Sequence, residues 1–297
     1  VADFIAQHTQ TQLGLLCQGA NSAGAYLMGA VPHRLPGGHT TLKKGDSSAA
    51  MLTSEKIKAM LLLNLEAEYD LAYAHRAVKA LKKMNSVIAL TAYQSPQLLN
   101  YAEVMLPVTP VAEMAGTFIN MQGDTLAIEA LTSPQGQARP AWKVLRVLGN
   151  LLEVEGFDYQ TIKDVQQDIA PHLATAKPKQ RWTFARPSVK LAERLRIAPV
   201  PIYAQDALVR RAAALQQTPD ACFTGVRINS ADAQALGLLD ATRVLVRQQE
   251  CELRLPLVID EAIPNNAVYL ESGIKETWDL DAAYQAIHLE PLGDNHE

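Results

Sequence analysis

The sequence predicts an α/β protein: a parallel-sheet α/β domain over residues 1–170, a basic proline-containing connector over 171–205, and a small β-barrel over 206–297. Three observations predict it. Short apolar runs alternate with helix-like segments through the first half, the pattern of βαβ units around a parallel sheet. Residues 177–211 then carry nine basic side chains against two acidic ones, with four prolines. Near the end, Cys251, Leu253, Leu255, Leu257 and Ile259 alternate with mostly polar neighbours, the period of a half-buried strand.

The elements follow in order. Leu13–Cys17 is a short apolar run, expected as a strand, that ends in a Gly19-Ala20-Asn21 turn; Asn21 or Ser22 can cap a helix running to about Gly29. Residues 31–45 hold two prolines and three glycines and read as loop. A short helix follows Asp46, and Ala59–Leu65 reads as a buried strand. Leu71–Met84 is helical, with Lys79, Lys82 and Lys83 toward the C-terminal end, where cations suit the helix dipole. Ser86–Thr91 and Glu103–Val108 are the next strands.

The clearest helix is Ala141–Leu152. Ala141, Val144, Leu145, Leu148, Leu151 and Leu152 recur at helical spacing, Pro140 sits near the first turn and Gly156 lies just past the end, so one face is expected to lie in the core. In the last part, Asn229 or Ser230 starts a short helix that stops at Gly237, with Asp232 in its first turn. Short strands with one small helix and tight turns fit a compact barrel. The basic connector reads as solvated, or as a dock for an acidic partner. The acidic stretch Glu271–Glu297, seven acids against one lysine, offers such a partner within the chain.

Composition excludes several classes. The formal net charge of −4 gives the whole chain no electrostatic case for nucleic acid. No apolar run approaches the ~18 residues of a membrane-spanning helix. Cys17, Cys222 and Cys251 are scattered, which argues against a disulfide framework, and three thiols fall short of the usual four-thiolate iron–sulfur cage. Each cysteine is expected to be a small core hydrophobe.

The motifs carry little chemistry. Gly19-x-Asn21-x-x-Gly24 misses the dinucleotide fingerprint by its second glycine, the one that lets the backbone approach a pyrophosphate, and the acid expected ~20 residues later is missing. A plain strand–turn–helix is the better reading. His33 and His39 flank the Pro/Gly loop without metal-ligand spacing. Cys17 beside the turn has no identifiable base. Glu113–Asp124, EMAGTFINMQGD, reads as a hairpin, with Glu113 either orienting a ligand or, as the better reading, holding the turn.

That last segment resembles a signature of molybdopterin-family oxidoreductases, an acid followed by Gly-Thr-Phe, a branched residue, Asn and a later Gly. It follows a strand-like Ala102–Pro107, as in that family. The run RPAWKVLRVLGNLLEVEGFDY at 139–159 resembles the corresponding run of the G subunit of bacterial NADH-quinone oxidoreductase, respiratory complex I; the stretches 14–32 and 58–68 resemble that subunit's third domain, and the run at 226–270 resembles the molybdopterin family's last domain.

The resemblance implies a molybdoenzyme-like α/β domain followed by a double-psi β-barrel, the domain that in true molybdoenzymes helps bind the pterin dinucleotide. It implies a cofactor-free scaffold in a complex that passes electrons from NADH to quinone. Iron–sulfur clusters are then expected in an N-terminal part of the same subunit, and the partners are that part and other peripheral-arm subunits. The expected location is the cytoplasmic face of the bacterial inner membrane. No catalytic, cofactor-binding or metal-ligating residue carries over position by position. Two other readings stay open: a pterin-binding oxidoreductase, and a small-molecule module at the Gly19 turn.

Overall fold

The computed structural model describes residues 2–14, 16–17, 19–175, 194–280 and 282–292. In chain order the first half forms α1 (Ala2–Thr9), α2 (Ser22–Leu27), α3 (Ser48–Thr53), β1 (Ala59–Leu63), α4 (Ala67–Asp70), α5 (Ala74–Leu81), β2 (Ser86–Thr91), β3 (Val104–Pro107), β4 (Gly116–Ile119), β5 (Thr125–Ile128), α6 (Ala141–Leu151) and α7 (Ile162–Thr175). The rest forms β6 (Leu195–Ile197), α8 (Ala213–Gln216), β7 (Val226–Ile228), α9 (Ser230–Ala235), β8 (Arg243–Gln248), β9 (Cys251–Ile259), β10 (Ala267–Tyr269) and β11 (His288–Pro291). The chain gathers into two compact units, one of residues 1–51, 90–92 and 105–188, the other of 52–89, 93–104 and 189–297.

β1, β2 and β3 form a sheet in that order. The bonds Glu103 N to Val87 O and Val108 N to Thr91 O advance in the same direction along β2 and β3, so that pair is parallel. The expected strand at Leu13–Cys17 does not form; its described residues carry no strand pairing. A run that short has too few ladder bonds to hold itself without a neighbour. Nor is β1 a fully buried strand, since Leu62 is buried while Leu61 and Leu63 are exposed.

In the first unit, β4 and β5 make the expected hairpin, in register from Gly116 opposite Ile128 to Ile119 opposite Thr125. The Asn120 side-chain oxygen accepts from the backbone N–H groups of Gln122 and Asp124, both at 2.9 Å, and Gly123 supplies a left-handed φ of 91°. The expected core face of α6 needs correction. Its one buried residue is Gly149, which packs against the ring of Phe157; of the expected face, Ala141, Val144, Leu145 and Leu148 are half-buried and Leu151 and Leu152 are exposed.

In the second unit, six strands run in the order β11-β8-β9-β7-β10-β6. The period-2 run forms β9, paired antiparallel with β8 and parallel with β7. The segment leading into β11 bonds back to β6, with Leu195 opposite Ala286 and Arg196 N donating to Gln285 O at 3.0 Å. The sheet therefore curls until its two edges meet, which removes the open edge that a flat sheet would expose. Its interior is aliphatic, with Val226, Ile228, Val244, Val246, Val268 and Leu270 fully buried, each stabilising by about 1.5–3 kcal/mol. Gly225 is required before β7: it has φ +114°, and a Cβ there would lie 2.4 Å from the Pro256 carbonyl oxygen.

Of the basic connector, residues 176–193 lie outside the described residues. Residues 195–198 are built into the fold, whereas Pro199, Val200, Ile202, Gln205 and Asp206 are exposed. Arg196 is fully buried and donates to the carbonyls of Leu270 at 3.1 Å and Glu271 at 2.7 Å and to the Gln248 side chain at 3.2 Å. Asn229 caps α9 as expected, its side chain accepting from Asp232 N at 2.7 Å.

Candidate functional site

The Gly19–Gly24 turn is closed by its own asparagine. Asn21 is the N-cap of α2 by position, yet its side chain does not cap the helix. Its oxygen accepts instead from Ile119 N in β4 at 2.8 Å, and its amide reaches Thr117 O at 3.5 Å. Gly24 makes room for this: a Cβ there would lie 2.2 Å from the Asn21 oxygen. The spacing that resembles a nucleotide fingerprint is thus a docking joint between α2 and the hairpin.

The other sequence-singled residues take structural places. Glu113 accepts from Gln135 N at 3.1 Å and so ties down the segment after β5. His33 and His39 are exposed. The three cysteines are free; Cys251 is half-buried and packs against the core of the curled sheet, Cys17 is half-buried, and Cys222 is exposed, unlike the core hydrophobe expected. Among the described residues no three His, Cys, Asp or Glu side chains converge as a metal site.

The densest polar cluster lies where sequence reasoning did not look, just past the C-terminal end of β1, where open α/β sheets place ligands. Glu66 and Glu68 flank the start of α4, and both are buried. The Glu66 carboxylate accepts from Arg210 at 2.9 and 3.2 Å and from both terminal nitrogens of Arg211, one of them at 3.1 Å. Arg210 also reaches Asp70 at 3.0 Å. The two guanidiniums stack over Tyr69 and Tyr93, at 4.9 and 4.6 Å from the ring centroids. Burial pushes the Glu66 carboxyl up, but the bonds from Arg211 and Arg210 outweigh it and hold it below its ordinary value.

Glu68 has the opposite environment. Burial, reinforced by the charges of Glu66 and Asp70, pushes its carboxyl above the usual range, although Tyr101 donates to it at 3.1 Å. Its second oxygen is buried without a partner among the described residues. Glu68 also borders a cavity of about 490 Å³ whose lining includes His75, Lys79, Lys82, Trp278 and Asp279. His75 lies 3.5 Å from Asp279, and Lys79 is 3.5 Å from Glu250. Arg210 and Arg211 beside the strand end are thus paired with carboxylates, as is Lys79 at the cavity. The arrangement is an internal clamp between α4 and the segment 210–211. The only advance signal for it was charge: three acids within Glu66–Asp70 and a basic pair at Arg210-Arg211.

Comparison with known proteins defines the class. Residues 4–151 match the Molybdopterin oxidoreductase family model, so about half of the chain is a domain of that family. Over 77 residues the chain is 38% identical to the mitochondrial NADH-ubiquinone oxidoreductase 78 kDa subunit of Candida albicans, a match covering 25% of this chain and 11% of that one. It is 33% identical over 85 residues to a nitrate reductase of Synechocystis, covering 29% and 12%. It is 30% identical over 70 residues to a putative formate dehydrogenase of Staphylococcus aureus, covering 24% and 7%. These matches span about a tenth of the relatives' length. Among solved structures, the acetylene hydratase of Pelobacter acetylenicus aligns with a TM-score of 0.49 at 16% identity, covering 76% of this chain and 38% of that one.

Proposed function

We propose that the chain is a structural portion of an NADH-quinone oxidoreductase of the complex I type, resembling the G subunit of the bacterial enzyme. It is a molybdopterin-oxidoreductase fold that braces the electron path without holding a redox cofactor. The supporting observation is the Glu66 clamp. A phosphate-rich pterin cofactor needs free cations and open backbone near the strand ends. Here Arg210 and Arg211 are both paired with a carboxylate that is itself only 5% exposed, so an incoming phosphate would meet a buried negative charge. The Gly19–Gly24 turn is likewise filled by Asn21. The residues present do not fit the family's cofactor at either place.

On this reading the curled sheet corresponds to the double-psi barrel of the family. Electrons pass through iron–sulfur clusters in an N-terminal part of the same subunit, and the chain's partners are that part and other peripheral-arm subunits on the cytoplasmic face of the bacterial inner membrane. Among the described residues no helix is long and apolar enough to cross a membrane.

The test is the metal and pterin content of the chain purified from molybdenum-replete cells, by elemental mass spectrometry and by pterin fluorescence after oxidation. The expected result is neither molybdenum nor pterin at stoichiometric level. A stoichiometric content of both supports instead a pterin-binding oxidoreductase.

A further inference from the structure

We propose that the groove along α6 docks a partner segment that is apolar on one face and flanked by carboxylates; this deepens the scaffold reading and rests on it. The groove encloses about 500 Å³, with Trp142, Val147, Leu148 and Leu151 among the apolar side chains that line it. Leu151 is 76% exposed, although it belongs to the apolar stripe that sequence periodicity assigns to a core, and Val147 beside that stripe is 48% exposed. Helices keep such stripes for burial, and a contiguous exposed one marks an interaction surface.

Charge identifies the occupant. Three cations, Arg139, Lys143 and Arg146, line the groove, and among the described residues no carboxylate does. Arg146 Nε is buried without a hydrogen-bond partner among the described residues. A purely apolar segment would cover these three cations without pairing them, and a basic one would meet like charge; a carboxylate beside an apolar anchor satisfies both. The concave shape suits a helix or extended segment, with i, i+3/i+4, i+7 anchors if helical, better than a flat lipid surface.

The probe is a fluorescein-labelled amphipathic peptide with leucines at helical spacing and glutamates beside them, paired with a matched peptide carrying lysines instead. Both are titrated by fluorescence anisotropy into the full chain. The glutamate peptide is expected to bind at least about tenfold tighter, and added salt to weaken it. Arg146→Gln and Leu151→Glu should each lose about tenfold in affinity with an unchanged melting temperature. Should either variant melt early, exposed Lys143→Glu carries the same expectation.

Equal binding of the two peptides, binding by neither, or variants that bind like the parent would overturn the proposal. So would a dimer, or attachment to anionic phosphatidylglycerol vesicles, that Leu151→Glu abolishes, since the face would then serve a second copy or a membrane. Stoichiometric molybdenum would sink the scaffold reading and leave these binding results standing, so the two failures are distinguishable.

Discussion

Arg210 donates to the Glu66 carboxylate at 2.9 Å, although 144 positions separate the two residues in the chain. Glu66 is 5% and Arg210 10% exposed, so this is a buried ion pair, completed by Arg211 and Asp70. Removing one partner of such a pair leaves an uncompensated charge in low dielectric. Glu66→Gln should therefore cost about 3–5 kcal/mol of unfolding free energy. Lys79→Ala, which breaks the exposed Lys79–Glu250 pair, should cost less than about 1 kcal/mol. Chemical denaturation of both variants checks this, and equal, small costs would mean that the cluster does not brace the fold.

The paired acids at the start of α4 should oppose each other in pH dependence. Glu66 is held below its ordinary value of 4.5, so its contribution is present above that pH and is lost as pH falls through the lowered folded value. Glu68 is pushed above 4.5 by burial, so its contribution is present below that pH and is lost as pH rises through the raised folded value. Glu68→Gln should flatten the loss on the rising side, and Glu66→Gln the loss on the acid side. Denaturation midpoints measured across the acid range test both signs; a Glu68→Gln curve parallel to the parent's would contradict the assignment.

These effects show where sequence reasoning reaches. β2 was legible to the residue because Ser86–Thr91 is a β-prone run with clean ends, and β9 because its alternation is local. The α6 boundaries followed from Pro140, Gly156 and the helical spacing. The burial of α6 did not follow, since periodicity names an apolar face without saying what covers it. β6 hid inside a basic stretch because Arg196 is buried by carbonyl acceptors on Leu270 and Glu271, just after β10 and about 75 positions away. The Glu66 clamp shows in the sequence only as two separate charge clusters, because which of them pair at long range is decided by topology.

Gly149 is a packing glycine. A Cβ there would lie 2.4 Å from Phe157 ring atoms, including the ring's root carbon, which a side-chain swing cannot easily clear. Gly149→Ala should thus destabilise by about 1–3 kcal/mol. On an exposed helix the same change would stabilise by up to about 1 kcal/mol. A thermal melt that rises in this variant would show that Phe157 does not pack on α6.

Asn229 both caps α9 and donates to Ile263 O at 3.2 Å and to the Asn265 side chain at 2.9 Å. Asn229→Ala should cost about 1–2 kcal/mol, the range of a lost cap. Asn229→Asp keeps the capping oxygen and loses only the donor, so it should fall between the parent and the alanine variant. If the two variants proved equally stable, the cap itself would contribute nothing.

The central claim is that this chain braces a redox complex and does not itself react. The direct measurement is NADH-quinone reductase turnover per assembled complex, in membranes whose parent protein carries Glu66→Gln or Asn21→Gly. The expected result is less assembled complex with unchanged turnover in what remains. Normal assembly with reduced turnover would contradict it and place chemistry at these residues.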